Sequence, residues 1–221
     1  MMKYVSGNRN PKVIAGKRKI ACVGDSITFG HGFNGKTEKT WEYTANQILG
    51  ESFQVINYGA SGRTVQTTGD YPYTADKIFE YSLECGAETY LILLGTNDAK
   101  PWNWDQKRFE KDYESFIKRY IELPGKPEVI LMTPPQCFPD ETSGIVPYGI
   151  RKDVIDRFIV KYIGETAERL RLPVIDLYEN TKDHSEWFTD GVHPNEKGNR
   201  AIGEFIAVEL NKLDSMHTAN A

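Results

Sequence analysis

The chain has 221 residues, of which 39% are hydrophobic and 12% aromatic, and its formal net charge at pH 7 is -4. This length suits one well-buried domain and leaves little room for a second. The dispersed charge of both signs excludes a nucleic-acid binder with a basic stripe, and the hydrophobic content excludes a disordered chain. Three widely spaced cysteines, Cys22, Cys85 and Cys137, form no disulfide or Cys-x-x-Cys metal pattern.

The N-terminal segment carries Gly, Asn, Pro and Lys without periodicity. We therefore predict an N-terminal arm over residues 1–17, a single domain over 18–213 and a C-terminal tail over 214–221. Residues 1–10 lack the apolar stretch of a secretory signal, and no run approaches the roughly 18 apolar residues of a membrane helix. We expect a cytoplasmic protein that does not contact membranes.

Five short apolar runs predict strands, at residues 20–23, 53–57, 89–94, 129–132 and 174–177. Near-continuous apolarity over so few residues is typical of strands covered on both faces, as in a parallel sheet. Helical periodicity between them predicts long helices over 105–124 and 150–170, a last helix after Pro194, and weaker helices over 41–49 and 75–84. In the helix over 150–170, Phe158 belongs to the apolar stripe. The alternation predicts a doubly wound, three-layer α/β/α domain.

In such a fold, ligands bind beyond the carboxyl ends of the strands, so the loops that follow the strands carry the chemistry. The first strand leads into Gly24-Asp25-Ser26, and the loop before the last helix contains Asp190-Gly191-Val192-His193-Pro194. Gly-Asp-Ser alone is also ordinary turn composition. A serine hydroxyl becomes a nucleophile when a neutral imidazole takes its proton and a carboxylate orients that imidazole. Ser26, His193 and Asp190 are the candidates for these three roles.

A tetrahedral intermediate also needs hydrogen-bond donors that are in place before the reaction. The candidates for this oxyanion hole are the amide of Ser26, the amide of Gly59 after the second strand, and the side-chain NH₂ of Asn97 after the third. They come from three separate loops that a parallel sheet brings to one edge.

The four loops together resemble, in order and spacing, the four motif blocks of the SGNH (GDSL-type) hydrolases. The matching residues are Gly24-Asp25-Ser26-Ile27-Thr28, Gly59, Gly95-Thr96-Asn97-Asp98 and Asp190-Gly191-Val192-His193-Pro194. The resemblance covers residues 19–213. It implies a flavodoxin-like fold with a five-stranded parallel sheet, and a serine esterase that uses Ser26, His193 and Asp190 and an oxyanion hole of Ser26, Gly59 and Asn97. It also implies no metal, no organic cofactor, and a bracing role for Asp25 and Asp98.

The substrate is expected to be a short acyl ester, with O-acetyl groups on carbohydrates favoured, because the chain resembles small bacterial carbohydrate acetylesterases. The alternative within the family is a long-chain lipase, lysophospholipase or acyl-thioesterase. Asp25, His31, Arg63, Trp102, Trp104 and Gln136 are the candidate substrate contacts. The two tryptophans either stack on a sugar ring or pack their loop down, and the sequence leaves both open. A homo-oligomer is possible.

Three alternatives come from other classes. Residues Gly30 to Thr37 satisfy the phosphate-loop pattern of nucleotide triphosphatases, although the predicted strand ends near Val23 and helical spacing begins only at Trp41. Gly-Asp and Asp-x-x-His fragments also occur in two-metal phosphoesterases, but the chain has only four histidines. The third alternative is a non-catalytic sugar-binding module.

Overall fold

The structure, a computed structural model, describes residues 10–33 and 37–219, with the side chains of 217–219 excepted. Of the predicted arm, residues 1–9 lie outside the described residues, as do residues 34–36 of the phosphate-loop pattern. The described part of the arm lies along the sheet: the amide of Ile14 donates to Gln54 Oε1 (2.8 Å), and Gln54 Nε2 donates to the carbonyl of Lys12 (2.7 Å). Across the described residues, no helix combines the length and the apolar character that crossing a bilayer requires.

A five-stranded sheet forms the centre of the molecule. Its strands are β1 (Arg18–Gly24), β2 (Phe53–Gly59), β3 (Thr89–Leu93), β4 (Glu128–Met132) and β5 (Val174–Ile175). They are ordered β2-β1-β3-β4-β5, and every neighbouring pair is parallel. This is the flavodoxin-like order, whose ligand-binding crevice lies where the winding reverses between β1 and β3. The predicted doubly wound parallel sheet is confirmed.

Eight helices occur in the described part of the chain. They are α1 (Ser26–Phe29), α2 (Trp41–Leu49), α3 (Lys77–Glu84), α4 (Gln106–Ile121), α5 (Lys152–Val154), α6 (Val160–Leu170), α7 (Leu177–Asn180) and α8 (Glu196–Ala219). Short 3₁₀ turns over Thr37–Lys39, Tyr73–Ala75, Asn97–Ala99, Pro147–Gly149 and Ser185–Trp187 lie in the loops.

The sheet is covered on both faces, because alternate residues of each strand point to opposite sides. Val23 of β1 packs in one core with Phe116 of α4 and Ile163 of α6. Its neighbour Cys22 packs in a second core with residues of α2 and α8, among them Trp41 and Ile206. The three-layer arrangement is thereby confirmed.

The fifth strand and the C-terminal segment differ from their predicted bounds. The fifth strand was predicted over 174–177, but Asp176 accepts hydrogen bonds from Thr133 Oγ1 (2.7 Å) and from the Glu179 amide (3.2 Å) and caps α7. The strand therefore stops at Ile175. The last helix, α8, continues through Ala219 and so extends into the segment predicted as a C-terminal tail over 214–221.

The helix predicted over 150–170 contains a π-helical segment, Ile155–Ile159, between α5 and α6. A π turn inserts one residue and rotates the following side chains around the helix axis. Phe158 is consequently 36% exposed, although the periodicity placed it on the buried stripe. Its neighbours Ile155 and Ile159 are buried as predicted.

Candidate active site

The junction between β1 and α1 is tight and presents Ser26 at the start of a helix. A Cβ on Gly24 would lie 2.1 Å from Thr28 Oγ1 and 2.8 Å from the carbonyl oxygen of Leu93, so only glycine fits there. The next residue, Asp25, caps α1 by accepting a hydrogen bond from the Ile27 amide at 2.9 Å. Ser26 follows as the first helical residue and is 8% exposed.

Three residues form one hydrogen-bonded chain that spans 167 residues of sequence, and we call them the triad: Ser26, His193 and Asp190. His193 Nε2 lies 2.9 Å from Ser26 Oγ, and His193 Nδ1 lies 2.8 Å from Asp190 Oδ2. The other carboxylate oxygen, Asp190 Oδ1, accepts from the amides of Val192 (3.0 Å) and His193 (2.7 Å). The turn between them needs Gly191, which has φ +80° and whose added Cβ would lie 2.1 Å from the carbonyl oxygen of Phe138.

The electrostatic setting of Asp190 keeps its carboxylate charged. Burial by itself would raise the pKa of Asp190, but hydrogen bonds from His193 and from the Tyr148 hydroxyl outweigh it and hold that pKa well below its ordinary value. The Tyr148 hydroxyl donates to Asp190 Oδ2 at 2.7 Å. A charged carboxylate on the Nδ1 side favours a proton on Nδ1, which leaves Nε2 free to accept the proton of Ser26.

His31, one of the predicted substrate contacts, lies beside His193. Its ring lies 4.2 Å from the ring of His193, centroid to centroid, with the two planes tilted by 32°. Burial lowers the pKa of His31, proximity to His193 lowers it further, and Asp190 opposes both effects in part. The lowered pKa keeps the imidazole of His31 neutral at neutral pH.

Asn97 reaches the same place from the loop after β3. The side-chain Nδ2 of Asn97 lies 3.3 Å from Asp25 Oδ2, and the backbone carbonyl of Asn97 accepts from Asn103 Nδ2 at 2.9 Å. The contact with Asp25 uses one of the two hydrogens of the carboxamide, and the other can meet a developing oxyanion. The structure therefore places the Asn97 side chain against Asp25, the residue that precedes Ser26.

The two aspartates beside these residues are buried and brace the loops. Asp98 accepts from the amides of Val65 (3.0 Å) and Gln66 (2.8 Å), which ties the loop after β3 to the loop after β2. Burial is the main cause that raises the pKa of Asp98 to about 7 and that of Asp25 to about 6. Asp25 is only 1% exposed, so its predicted contact with substrate is wrong.

The predicted role of Gly59 in the oxyanion hole does not agree with its contacts. Its amide donates to Asn57 Oδ1 at 2.9 Å and is already engaged. The absence of a side chain has a packing reason, because a Cβ on Gly59 would lie 2.2 Å from the amide nitrogen of Phe29 in α1. In the same loop Gly62 adopts φ +79°, and its amide has no hydrogen-bond acceptor among the residues that the structure describes.

Arg63 is not available to a substrate. Its guanidinium is buried and pairs with Asp76, with Nε donating to Asp76 Oδ2 at 3.0 Å and Nη1 donating to the carbonyl of Ser61 at 2.9 Å. The prediction of a substrate contact at Arg63 is wrong, because a distant carboxylate that the sequence pattern did not reveal uses its donors. Arg63 instead anchors the loop after β2 to the start of α3.

The two tryptophans have different surroundings. Trp104 packs against Phe109 and Phe158, with ring centroids 5.6 and 5.9 Å apart, and lines a cavity of about 140 Å³ between α4 and α6 that includes none of the triad residues. Of the two roles that the sequence left open for Trp104, these contacts favour packing against its own loop. Trp102 is 62% exposed, its Nε1 donates to Asp70 Oδ2 at 3.1 Å, and its ring lies against Gly149.

Gln136 and the phosphate-loop pattern also have structural explanations. The backbone amide of Gln136 donates to Thr181 Oγ1 (2.9 Å), and its side-chain Oε1 accepts from Lys152 Nζ (3.2 Å), so Gln136 ties its loop to the start of α5 and to the residue after α7. Its contact with substrate stays a prediction. Gly30 ends α1 in a left-handed conformation, six residues after β1 has ended at Gly24. Within the described residues, 10–33 and 37–219, no three His, Cys, Asp or Glu side chains are grouped so as to hold a metal ion.

Tyr148 is the site residue that the sequence analysis missed. It lies in the Pro147–Gly149 turn, and its ring meets the ring of His193 edge to face at a centroid distance of 5.1 Å. Neither periodicity nor a motif marks it, and the only local signal is the turn composition Pro-Tyr-Gly.

Residues 22–201 match the family model of the GDSL-like Lipase/Acylhydrolase family. Over 211 residues the chain is 31% identical to an acetylxylan esterase of Xylanibacter ruminicola, a match that covers 87% of this chain and 43% of that protein. The chain thus spans less than half the length of this relative.

Solved structures share the fold. A carbohydrate acetylesterase from Sinorhizobium meliloti has a TM-score of 0.75 at 19% identity, covering 89% of this chain and 100% of that one. The inhibitor-bound aryl esterase of M. smegmatis has a TM-score of 0.73 at 21% identity, covering 89% and 99%. With the family match over most of its length, the chain belongs to the GDSL-like lipase/acylhydrolase family.

Proposed function

We propose that this protein is a serine carboxylester hydrolase that removes short acyl groups, in particular O-acetyl groups from carbohydrates. The observation that carries the proposal is the chain from Ser26 Oγ through His193 to Asp190, with contacts of 2.9 and 2.8 Å. Both distances are within hydrogen-bond range, and the geometry is that of a nucleophile, its general base and the group that orients the base.

In the first half of the reaction, His193 Nε2 takes the proton of Ser26 as Oγ bonds to the ester carbonyl carbon. The negative charge moves to the carbonyl oxygen, where the Asn97 carboxamide and the amides of Ser26 and Gly62 are the candidate donors. The imidazolium then gives its proton to the leaving alcohol oxygen as the carbon–oxygen bond breaks. Asp190 stabilises the imidazolium throughout.

In the second half, a water molecule replaces the alcohol. His193 takes a proton from this water as it attacks the acyl-enzyme, and then returns the proton to Ser26 as the carboxylic acid leaves. The two halves use the same residues in reverse roles, so no further catalytic group is required.

Acetylated carbohydrate is the favoured substrate for two reasons. The curated relative is an acetylxylan esterase, and one of the solved structures with the same fold is a carbohydrate acetylesterase. In addition, the exposed Trp102 ring lies against Gly149, next to Tyr148 at the triad, where it offers an apolar face to a sugar ring.

The test is acetate release from acetylated xylan and acetylated oligosaccharides by the wild type, Ser26→Ala and Ser52→Ala. We expect release to fall by at least about 10³-fold in Ser26→Ala and to be unchanged in Ser52→Ala, whose exposed serine serves as the matched control. A second series compares p-nitrophenyl acetate, octanoate and palmitate. Activity that survives in Ser26→Ala would overturn the mechanism, and a higher kcat/KM for the long-chain esters would favour a lipase.

A further inference from the structure

Tyr148 contacts two members of the triad at once. Its hydroxyl donates to Asp190 Oδ2 at 2.7 Å, and the same oxygen faces His193 Nδ1 at 2.8 Å. The edge-to-face contact of its ring with the His193 ring adds a second restraint. The hydroxyl and the imidazole therefore share one carboxylate oxygen.

The backbone at Tyr148 has an unusual conformation. Tyr148 has φ 62° and ψ 11°, a left-handed conformation that a residue with a side chain rarely adopts. The turn closes through a hydrogen bond from the Ile150 amide to the carbonyl of Pro147 at 3.2 Å. Such a conformation persists only where surrounding contacts impose it, and it clusters at functional sites.

Trp102 supplies one of these surrounding contacts. A Cβ on Gly149 would lie 2.9 Å from Trp102 Cη2, which shows how closely the indole packs against the turn. Asp70 holds the indole in place, because its Oδ2 accepts from Trp102 Nε1 at 3.1 Å. Asp70 also accepts from Asn103 Nδ2 at 2.9 Å, so the support reaches the loop that carries Asn97.

We propose that Tyr148 is a positioning residue whose hydroxyl holds Asp190 in place and moderates the charge that Asp190 presents to His193. This inference rests on the proposed ester hydrolysis, because it assigns Tyr148 a part in the same site. The phenol proton takes up part of the negative charge on Oδ2, which would otherwise act on the imidazolium alone.

The direction of the effect follows from the groups that face His193. These are Asp190 on its own loop, Ser26 at the start of α1, His31 after α1, the more distant Asp25, and Tyr148. Tyr148→Phe leaves the first four in place and removes only the hydroxyl. The full charge of Asp190 then acts on the ring, so His193 should take up its proton at a higher pH. Asp190 also loses a restraint, so turnover should fall.

Two measurements test this inference in the wild type, Tyr148→Phe and Tyr43→Phe, the last being an exposed tyrosine of α2 that serves as the control. The first is kcat and KM for p-nitrophenyl acetate between pH 4 and 9. We expect Tyr148→Phe to lower kcat about three- to tenfold with KM within about twofold, and Tyr43→Phe to match the wild type. The second is an NMR titration of the His193 ring, which needs no turnover. We expect its midpoint in Tyr148→Phe to rise by about half a pH unit or more.

A third variant, Tyr148→Gly, controls for a change in the fold of the turn. Glycine accepts a positive φ without strain, so this variant loses the hydroxyl while the backbone is relaxed. It should show the same upward shift of the His193 midpoint. A midpoint that stays at the wild-type value in both variants overturns the inference, whatever happens to kcat. If instead Ser26→Ala keeps full activity, the proposed function fails, and the titration still decides whether Tyr148 acts on His193.

Discussion

At the residue scale, the three aspartates near Ser26 differ in the direction in which their surroundings shift the carboxyl pKa. Asp190 accepts from two amides, from His193 and from Tyr148, and the pKa of Asp190 is lowered even though burial opposes this. Asp25 and Asp98 are almost fully buried, and burial raises the pKa of each. One carboxylate is thus kept charged to act on an imidazole, while the other two tie loops together at a cost in solvation.

A prediction at this scale concerns Asn97. Asn97→Ala removes one donor from the proposed oxyanion hole, so kcat for acetate esters should fall by roughly 10²–10³, with a smaller change in KM. The matched control is Asn211→Ala, at an exposed position of α8, which should keep wild-type kcat. Steady-state kinetics with p-nitrophenyl acetate provide the measurement. A loss of less than about fivefold in Asn97→Ala would show that its carboxamide does not meet the oxyanion.

At the element scale, the site depends on how closely α1 packs against β1 and β2. Glycine occurs at both close contacts: Gly24 of β1 lies against Thr28 of α1, and Gly59 of β2 lies against the amide of Phe29 in α1. This proximity allows a four-residue helix to present Ser26 directly above the sheet edge. The Gly59 position in the motif block is therefore explained by packing, while its amide is used by Asn57.

Gly59→Ala tests this explanation. The added Cβ would lie 2.2 Å from a backbone nitrogen, which cannot move as a flexible side chain could, so we expect the free energy of unfolding to fall by about 2 kcal/mol or more. Gly164→Ala in α6 is the matched control, since nothing lies within 4 Å of its added Cβ. That variant should be stabilised by roughly 0.5–1 kcal/mol. Chemical denaturation measures both, and a Gly59→Ala protein as stable as the wild type would contradict the packing account.

At the scale of the whole molecule, one parallel sheet carries the entire site on its carboxyl edge. The loops after β1, β2 and β3 and the loop before α8 meet there, and buried aspartates connect them. These internal connections make the site part of the fold, so its electrostatics contribute to global stability. We continue to propose a single domain over 18–213, with α8 continuing beyond it.

The pH dependence of global unfolding should reveal the buried carboxyl of Asp98. Its pKa is about 7 in the folded chain, against roughly 3.9 when unfolded. Between these pH values the folded state holds a proton that the unfolded state has released, so Asp98 makes the free energy of unfolding fall as the pH rises from about 4 to 7. Asp98→Asn removes this titration. The stability of the wild type relative to Asp98→Asn should therefore decline over that range, by on the order of 3 kcal/mol.

Denaturant titrations of both proteins at pH 4.5, 6 and 7.5 measure this difference. The exposed Asp183→Asn is the control and should run parallel to the wild type at each pH. A constant difference between the wild type and Asp98→Asn would mean that the Asp98 carboxyl has no raised pKa in the folded protein.

The order of residue types along the chain was enough to predict the fold class and the loops that carry the chemistry. Apolar runs and helical spacing are local properties, so they predicted the parallel sheet and its order of strands and helices. The motif blocks singled out Ser26, Asn97, Asp190 and His193. In the structure His193 joins Ser26 to Asp190 by hydrogen bonds, and Asn97 contacts Asp25 beside Ser26, because parallel strands deliver their following loops to a common edge.

The pairing of side chains across those loops, in contrast, follows from the packing of the folded chain. Asp76 takes the guanidinium of Arg63, Asn57 takes the amide of Gly59, and Tyr148 reaches Asp190 from a turn 42 residues away. The exposure of Phe158 depends on a π turn that apolar periodicity does not report. Partnerships of this kind depend on which surfaces packing brings within about 3 Å of each other, and no pattern of neighbouring residue types encodes that distance.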